Sequence, residues 1–386
     1  MIRYFISMLS CFVFSFLIEG KAQDIKPSQP ILVTDTVPLQ IADLEYLKRA
    51  DILSVIGVGD IMLGTNFPAK KYLPPSDGST LMKPILPYLQ DATITFGNLE
   101  GAFADTLPVT KNCRDTANCY AFRSPDYLFK NIVDAGFDVL SMANNHSGDL
   151  GKAGRENTIR LIEDAGLSHM GLLEYPTVIL QKEGIRFGFC AFSPNTGTCD
   201  INNYPEAERI VKSLSEKCDI VVVSFHGGAE GSKYQAVTKK RELFLGENRG
   251  NVYEFAHKMV DAGADIVFGH GPHVLRAMDL YKDRFIVYSL GNFCTYSRMK
   301  VSGVNGLAPI VKIYTTTNGT FIKGKITSCH QIKGVGTRLD SQKKAIAKFK
   351  ELTQKDLPEV KLTITDDGEI IKSITSDKIT KSDIQF

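Results

Sequence analysis

Potential metal ligands follow the apolar segments in the first 300 residues of this 386-residue chain. They are carboxylates, amides and imidazoles, in the order Asp60, Asn98 with Glu100, Asn145 with His146, His226, and His270 with His273. In an open α/β sheet the carboxyl ends of the strands line one crevice, so we expect these side chains to converge there. This mixture of ligands suits a divalent ion such as manganese, zinc or iron.

Each of these residues also has an ordinary structural interpretation. Asp60 could cap a following helix, Asn144 and Asn145 could form a turn, and a histidine after a buried strand, such as His226, is as often a structural hydrogen-bonding group. Their occurrence together, in one order along the chain, favours a functional site over these separate interpretations. No cysteine falls at a strand end, so thiolate ligands are not expected.

A βα alternation over residues 51–300 is predicted to position these side chains. Buried strands are predicted over 55–59, 92–96, 137–142, 220–225, 265–268 and 285–289. The intervening helices are predicted over 81–89, 125–135, 155–165, 206–217 and 251–262. The pattern predicts an α/β fold with one main domain.

Residues 301–386 have a different pattern, which predicts a β-rich C-terminal extension packed on the core. Alternating segments flank Asn318-Gly319 and Asp367-Gly368, two dipeptides typical of hairpin turns. A basic amphipathic helix is predicted over 342–352 between them.

The N-terminal segment predicts export to the periplasm or the cell surface. A positive start at Arg3, an apolar run and the small residues near Ala22 are typical of a signal peptide over 1–22, with an uncleaved anchor as the alternative. Residues 23–50 are predicted to be a proline-containing spacer. The net charge of +2 and the lack of a basic stretch with interleaved aromatics argue against a nucleic-acid partner.

Two groups of cysteines are distinguished by their surroundings. Cys113 and Cys119 lie in a polar loop, which in an exported protein favours a local disulfide, with two free thiols or a labile metal clip as alternatives. The others singled out lie in or beside apolar runs and are expected to be buried: Cys190, Cys218, Cys294 and Cys329.

Six short motifs, in order, resemble the CapA family of poly-γ-glutamate capsule synthesis proteins. They are Gly59–Gly64, Gly97–Glu100, Ala143–Gly151, Phe225–Glu230, Gly269–Val274 and Tyr288–Phe293. The resemblance covers residues 53–296. Because CapA-like proteins resemble the calcineurin-like metallophosphatases, it implies a four-layer α/β/β/α sandwich.

The resemblance also implies roles for individual residues. The implied metal ligands are Asp60, Glu100, Asn145, His226, His270 and His273. His146 matches the motif histidine beside the substrate, and the implied supporting or substrate-contacting residues are Asn98, Asn144, Glu230 and Asn292. Met62 stands where a second ligand histidine is usual, and Glu100 replaces an aspartate, which leaves one or two metal ions as alternatives.

Two functions follow from the resemblance. One is a hydrolase of a phosphoester, or of an amide bond in an envelope polymer, with His146 as general acid or electrostatic stabiliser. The other is a non-catalytic accessory protein beside a membrane-bound polymer synthase. It would bind an acidic polymer through the metal site and Arg123, Arg249 or Arg276, although each arginine taken alone is more often a solvated or salt-bridged surface group.

Overall fold

The computed structural model describes residues 52–111 and 120–373. The predicted signal peptide, the spacer and the Cys113–Cys119 pair lie outside these residues. Within them, no helix is long and apolar enough to cross a membrane.

The described part of the chain contains twenty-one strands and six α-helices. The strands are β1 Ile52–Met62, β2 Ile94–Leu99, β3 Ala102–Phe103, β4 Arg123–Ser124, β5 Val139–Ser141, β6 Ser168–Met170, β7 Thr177–Lys182, β8 Ile185–Phe192, β9 Ile220–His226, β10 Leu243–Phe244, β11 Glu247–Asn248, β12 Ile266–His270, β13 Met278–Tyr281, β14 Arg284–Val287, β15 Asn292–Thr295, β16 Ile310–Thr316, β17 Phe321–Thr327, β18 Cys329–Ile332, β19 Gly336–Leu339, β20 Leu362–Ile364 and β21 Glu369–Lys372. The helices are α1 Leu86–Leu89, α2 Lys130–Asp134, α3 Gly151–Asp164, α4 Tyr204–Ser215, α5 Val252–Asp261 and α6 Lys344–Asp356.

Two large sheets contain most of these strands. The first has nine strands. Eight of them follow the order β20-β21-β17-β16-β1-β2-β5-β6, and the ninth, β15, pairs with the end of β1 from Asp60 to Met62, after the part of β1 that pairs with β16. The second has six strands in the order β13-β14-β12-β9-β8-β7. In both sheets the strands that carry the predicted ligands are parallel neighbours, so their carboxyl ends lie at one edge.

The two sheets pack face to face through fully buried aromatic rings. The ring of Phe96 on β2 lies 5.7 Å from that of Phe268 on β12 and 6.2 Å from that of Phe189 on β8, centroid to centroid. Each such ring contributes on the order of 1.5–3 kcal/mol through removal of apolar surface from water. This contact forms the interface between the two β layers of the fold.

Helices cover the outer faces of both sheets. Apolar residues of α1, α2 and α3 form one cluster with the outer face of β1, and α4 and α5 join the core of the second sheet. Asn203 and Asn251 cap α4 and α5, because each amide oxygen accepts a hydrogen bond from a backbone N–H three residues later. The predicted four-layer α/β/β/α sandwich is therefore confirmed.

The C-terminal strands continue the first sheet. β16 runs antiparallel to β1 from Ile52 to Val58, and β17, β21 and β20 follow outward. The hairpin predicted around Asn318-Gly319 is formed by β16 and β17. The helix predicted over 81–89 is a 3-10 turn, Lys83–Ile85, followed by the short α1, because Pro84 and Pro87 each lack a backbone N–H.

The cysteines expected in the core are buried, as predicted: Cys190, Cys218, Cys294 and Cys329. Cys199 is buried with them.

Candidate metal centre

The first side of the candidate site is a row of three polar residues on adjacent parallel strands. Asp60 on β1 stands opposite Asn98 on β2 and Asn292 on β15. The Asn98 amide donates a hydrogen bond of 2.8 Å to Asp60 Oδ1. Gly59 permits this arrangement, because a Cβ there would lie 2.0 Å from the Gly291 carbonyl oxygen. Asp60 is therefore fixed and fully buried at the carboxyl edge of the first sheet.

The second side consists of two histidines on the second sheet. His226 at the end of β9 is the parallel neighbour of His270 at the end of β12. His270 Nδ1 lies 3.4 Å from Asp60 Oδ1, so the edges of the two sheets meet here. Both imidazoles are fully buried, and their ring nitrogens make no hydrogen bonds within the described part of the chain.

His273 joins the two sides. Its Nδ1 lies 2.9 Å from Asp60 Oδ2 and 3.6 Å from Glu100 Oε2, and its Nε2 lies 3.7 Å from Glu230 Oε2. The His273 backbone has φ +56°, a conformation that non-glycine residues rarely adopt. The amides of Asn292 and Asn305 both donate to its carbonyl oxygen, at 3.4 and 3.2 Å, and help to hold this conformation.

The charged groups perturb one another's protonation strongly. Burial acts to raise the pKa of Asp60, but the close approach of His270 and His273 holds it well below its ordinary value. Burial and the charge of Asp60 raise the pKa of Glu100 well above its ordinary value. Burial opposes the charged form of His273, but Glu100 and Asp60 raise its pKa to about 10. Burial, with the nearby charge of Arg249, lowers the pKa of His226 well below its ordinary value.

The arrangement fits a divalent cation. Ligand atoms of Asp60, Glu100 and His273 all lie within 4.8 Å of one another. Both Glu100 oxygens and the nitrogens of His226 and His270 are buried without a hydrogen bond among the described residues. Unpaired buried polar groups are costly, and a cation that accepts their lone pairs would remove that cost. The donor set of carboxylate and imidazole is the one that zinc, manganese and iron share.

Asn145 is less closely tied to this cluster. Its Oδ1 atom is buried and has no hydrogen-bond partner in the described residues, as expected of a ligand oxygen. Its neighbour Asn144 is structural: the Asn144 amide nitrogen donates to Asn98 Oδ1 at 3.1 Å. Asn144 Oδ1 accepts from the backbone N–H groups of His146 and Ser147, both at 3.0 Å, and so shapes the turn.

His146 is contacted by three residues to which the sequence prediction assigns no role. Its Nδ1 lies 2.7 Å from Asp149 Oδ2, and Lys111 Nζ lies 3.0 Å from the other oxygen of Asp149. The ring of Phe122 packs on the imidazole at 4.3 Å between centroids. Burial lowers the pKa of His146, because it disfavours the charged imidazole. The three-residue spacing of His146 and Asp149 is a signal in the sequence, whereas the position of Lys111 is not.

Arg249 and Arg276, predicted as polymer contacts, are buried instead. Arg249 is paired with Glu230 at 2.8 Å. Arg276 forms a two-pronged ion pair with Glu242 at 2.7 and 2.8 Å. The prediction that they contact a polymer is therefore wrong, because each guanidinium group already has a carboxylate partner inside the protein. Arg123 is half-buried and donates to Asn66 and to the Leu107 carbonyl.

Fold and site together define an α/β/β/α sandwich with a candidate metal centre at its strand ends. A family model described as "Bacterial capsule synthesis protein PGA_cap" matches residues 54–297. Because the match covers more than half of the chain, the protein belongs to this family, and the resemblance seen in the sequence motifs is confirmed.

Curated relatives agree with this assignment. The chain is 30% identical over 297 residues to a capsule biosynthesis protein CapA of Bacillus anthracis, covering 71% of this chain and 67% of the relative. It is 30% identical over 261 residues to a PGA biosynthesis protein CapA of Bacillus subtilis (strain 168), covering 63% of each. The chain thus spans about two thirds of the length of these relatives.

Solved structures show only weaker likeness. A hypothetical protein from Thermus thermophilus is similar with a TM-score of 0.44 and 16% identity, over 72% of this chain and 98% of that one. A putative 5'-nucleotidase from Staphylococcus aureus has a TM-score of 0.39 and 15% identity, over 78% of this chain and 58% of that one. At these values no activity is transferred from either protein to this chain.

Proposed function

We propose that this protein is an exported, metal-dependent hydrolase that cleaves a phosphoester or an amide bond in an envelope polymer during capsule or poly-γ-glutamate biosynthesis. The observation that carries the proposal is the meeting of Asp60, Glu100 and His273 within 4.8 Å, beside buried imidazoles without hydrogen bonds among the described residues. A membrane-bound polymer synthase is the proposed partner, and an acidic polymer or a phosphoester the proposed substrate.

The proposed ligands are Asp60, Glu100, Asn145, His226, His270 and His273. A divalent ion held by these residues would supply a water of lowered pKa and would polarise the phosphoryl or carbonyl oxygen of the substrate. Asn98 holds the Asp60 carboxylate in place through its hydrogen bond of 2.8 Å. Asn292 and Asn305 hold His273 through its carbonyl oxygen.

His146 is the proposed general acid. Asp149 accepts a hydrogen bond from Nδ1–H, so Nε2 carries a proton for a leaving group only in the imidazolium form of His146. Burial acts against that form, and the charge of Asp149 acts in its favour. Phe122 and Asp149 also restrict rotation of the ring, because they contact one face and one edge of it. The chain's own contribution is therefore a positioned proton donor beside a buried cluster of ligands.

A non-catalytic accessory role is the second candidate. Met62, at the position where the family resemblance expects a histidine ligand, is buried in β1, and methionine does not replace imidazole for these ions. A relative in Mycobacterium tuberculosis with 26% identity over 230 residues is described as a probable polyglutamine synthesis accessory protein. In this role the metal centre would bind acidic groups of the polymer without cleaving it.

One experiment tests the metal centre that both functions need. Metal content is measured by elemental analysis of protein purified without added metal, for the wild type and for Asp60→Asn, His270→Ala and His330→Ala. His330 is the matched control, because this half-buried histidine lies in β18, outside the site. We expect the first two variants to lose metal and the control to keep it. Equal metal content in all four proteins would refute the proposed centre.

Activity is then assayed with manganese added to the buffer, which separates the two functions. Wild type, His270→Ala and His330→Ala are each incubated with bis(p-nitrophenyl) phosphate, p-nitrophenyl phosphate and poly-γ-glutamate. Turnover of any of them that is lost in His270→Ala supports the hydrolase. Saturable binding of polyglutamate without products supports the accessory role instead.

Export is tested separately. The proposal predicts that protein recovered from the periplasm or the cell surface begins after Ala22, as measured by intact mass. A full-length mass in the cytoplasmic fraction alone would contradict it.

A further inference from the structure

An arginine without an acidic partner among the described residues lies in the loop that follows β15, the strand that places Asn292 beside Asp60. The guanidinium carbon of Arg298 is 5.3 Å from the centre of the Tyr72 ring and 4.9 Å from that of the Tyr120 ring. No carboxylate pairs with Arg298 in the part of the chain that the structure describes, and its Nε is buried without a hydrogen bond there. The Tyr72 hydroxyl is a hydrogen-bonding neighbour of Arg298, which lowers the pKa of Tyr72, but this neighbour is neutral. The positive charge of Arg298 therefore has no anionic partner among the described residues and can bind an external anion.

Hydrogen bonds tie the Arg298 loop to the end of β1, two residues beyond Asp60, and to Asn292. The backbone N–H of Tyr296 donates to the Met62 carbonyl at the end of β1, at 3.1 Å. The Asn292 amide donates both to the Lys300 carbonyl and to the His273 carbonyl, at 3.4 Å each. The loop 296–300 is thus tied to the same side chain that supports the backbone of His273.

Tyr120, the second aromatic neighbour of Arg298, is close in sequence to a residue that contacts His146. Tyr120 is two residues from Phe122, whose ring packs on His146. Arg298 is therefore connected through Tyr120 to the segment that packs on His146, and through Asn292 to the backbone of His273. The proposed function assigns a role to both histidines.

The backbone of Arg298 is strained. Its φ is +69°, in the left-handed region that costs a non-glycine residue on the order of 1 kcal/mol. Such strain persists only where surrounding contacts impose it, and it is concentrated at functional sites. Here the two aromatic rings and the hydrogen bond to the Lys300 carbonyl are the surrounding contacts.

We infer that Arg298 is a specificity-determining residue, which binds an anionic group of the substrate, a carboxylate or a phosphate, outside the bond that is cleaved. This inference rests on the proposed function, because it assigns the crevice to a substrate. A guanidinium group can bind either anion through two parallel hydrogen bonds, which a lysine cannot do. Tyr72 and Tyr120 are positioning residues that keep the guanidinium plane in place.

Binding is measured by calorimetry on manganese-loaded protein, with oligo-γ-glutamate and inorganic phosphate as the two probes. The variants are Arg298→Gln, Arg298→Lys and Lys300→Gln. Lys300→Gln is the matched control, because it removes one positive charge from the same loop at an exposed position. Thermal melting and metal content verify that each variant is folded and loaded.

We expect Arg298→Gln to raise the dissociation constant of at least one probe about tenfold, the loss typical of one charge-assisted hydrogen bond. Arg298→Lys should lose about threefold in affinity, and Lys300→Gln less than about twofold, because only the guanidinium group binds an anion through two bonds. The probe that is affected identifies the anion as carboxylate or phosphate. Equal effects of Arg298→Gln and Lys300→Gln, or no binding of either probe by the wild type, would overturn the inference.

Failure of the proposed function would look different. A protein that binds oligo-γ-glutamate through Arg298 but turns over no substrate retains this inference and excludes the hydrolase. If instead the wild type and the Arg298→Gln variant hydrolyse bis(p-nitrophenyl) phosphate equally well and bind both probes equally well, the hydrolase stands and a role for Arg298 is excluded.

Discussion

Replacing Glu100 by glutamine should change stability in opposite directions without and with metal. Glu100 is fully buried, both of its oxygens lack hydrogen bonds among the described residues, and the charge of Asp60 acts against its own. Without metal, Glu100→Gln removes an unfavourable buried carboxylate. We expect the variant to be as stable as the wild type or more stable, by up to about 1 kcal/mol.

With metal the order reverses. At a free metal concentration about 100 times the dissociation constant, binding stabilises the wild type by about 2.7 kcal/mol. If the loss of the carboxylate weakens affinity about 100-fold, the same concentration stabilises the variant by only about 0.4 kcal/mol. The metal-loaded wild type should therefore exceed the variant in free energy of unfolding by about 1–2 kcal/mol.

The assay is urea denaturation of both proteins, in excess chelator and in a series of manganese or zinc concentrations. Glu351→Gln is the control, because it removes an exposed carboxylate on α6. Its effect should be the same with and without metal. The reasoning is refuted if Glu100→Gln shifts the free energy of unfolding by equal amounts in both conditions.

Particular contacts lead to three more predictions. Glu242→Gln leaves Arg276 buried without its charged partner and should lower the free energy of unfolding by about 3–5 kcal/mol. The double variant Glu242→Gln with Arg276→Met should lose less stability, because no unpaired charge remains. A double-mutant cycle measured by urea denaturation tests both expectations. Gly59→Ala places a Cβ 2.0 Å from the Gly291 carbonyl oxygen, just before β15. It should lower the free energy of unfolding by about 1–3 kcal/mol and weaken metal binding. Gly101→Ala is the control: the nearest atom to its added Cβ is 3.7 Å away, so both quantities should stay unchanged. His146→Ala should keep full metal content while the turnover of bis(p-nitrophenyl) phosphate falls about 10²–10⁴-fold, and a simultaneous loss of metal would argue that His146 is a ligand.

Much of the site could be predicted because parallel strands place their carboxyl ends at one edge. The sequence shows where each apolar strand ends, and the polar residue that follows the strand can be identified directly as a candidate ligand. The structure brings Asp60, Glu100, His226, His270 and His273 together from separate segments of the chain. Their roles as ligands remain predictions. For Asn145, the support is that its amide oxygen is buried without a hydrogen bond among the described residues.

Residues that act through long-range contacts could not be predicted in this way. Strand β15 is four residues long and gives no signal in the sequence pattern. The family resemblance names Asn292, but only the structure shows that β15 places it directly beside Asp60. A short strand has too few residues for a periodic pattern, and its pairing with β1 depends on packing across the whole sheet. The support that Lys111 gives to Asp149 has the same origin, since the two residues are far apart in the printed sequence.

Local periodicity and turn chemistry were sufficient to predict the alternation of strands and helices, the hairpin at Asn318-Gly319 and the order of candidate ligands. Which charged side chains are available to a substrate depends instead on tertiary packing. Arg276 and Arg298 each stand in the sequence without another arginine beside them, so nothing local distinguishes them. In the structure Arg276 is buried against Glu242, whereas Arg298 lies between two tyrosine rings. The difference arises because the partner of a charge is chosen by packing between segments distant in the chain, which no local pattern records.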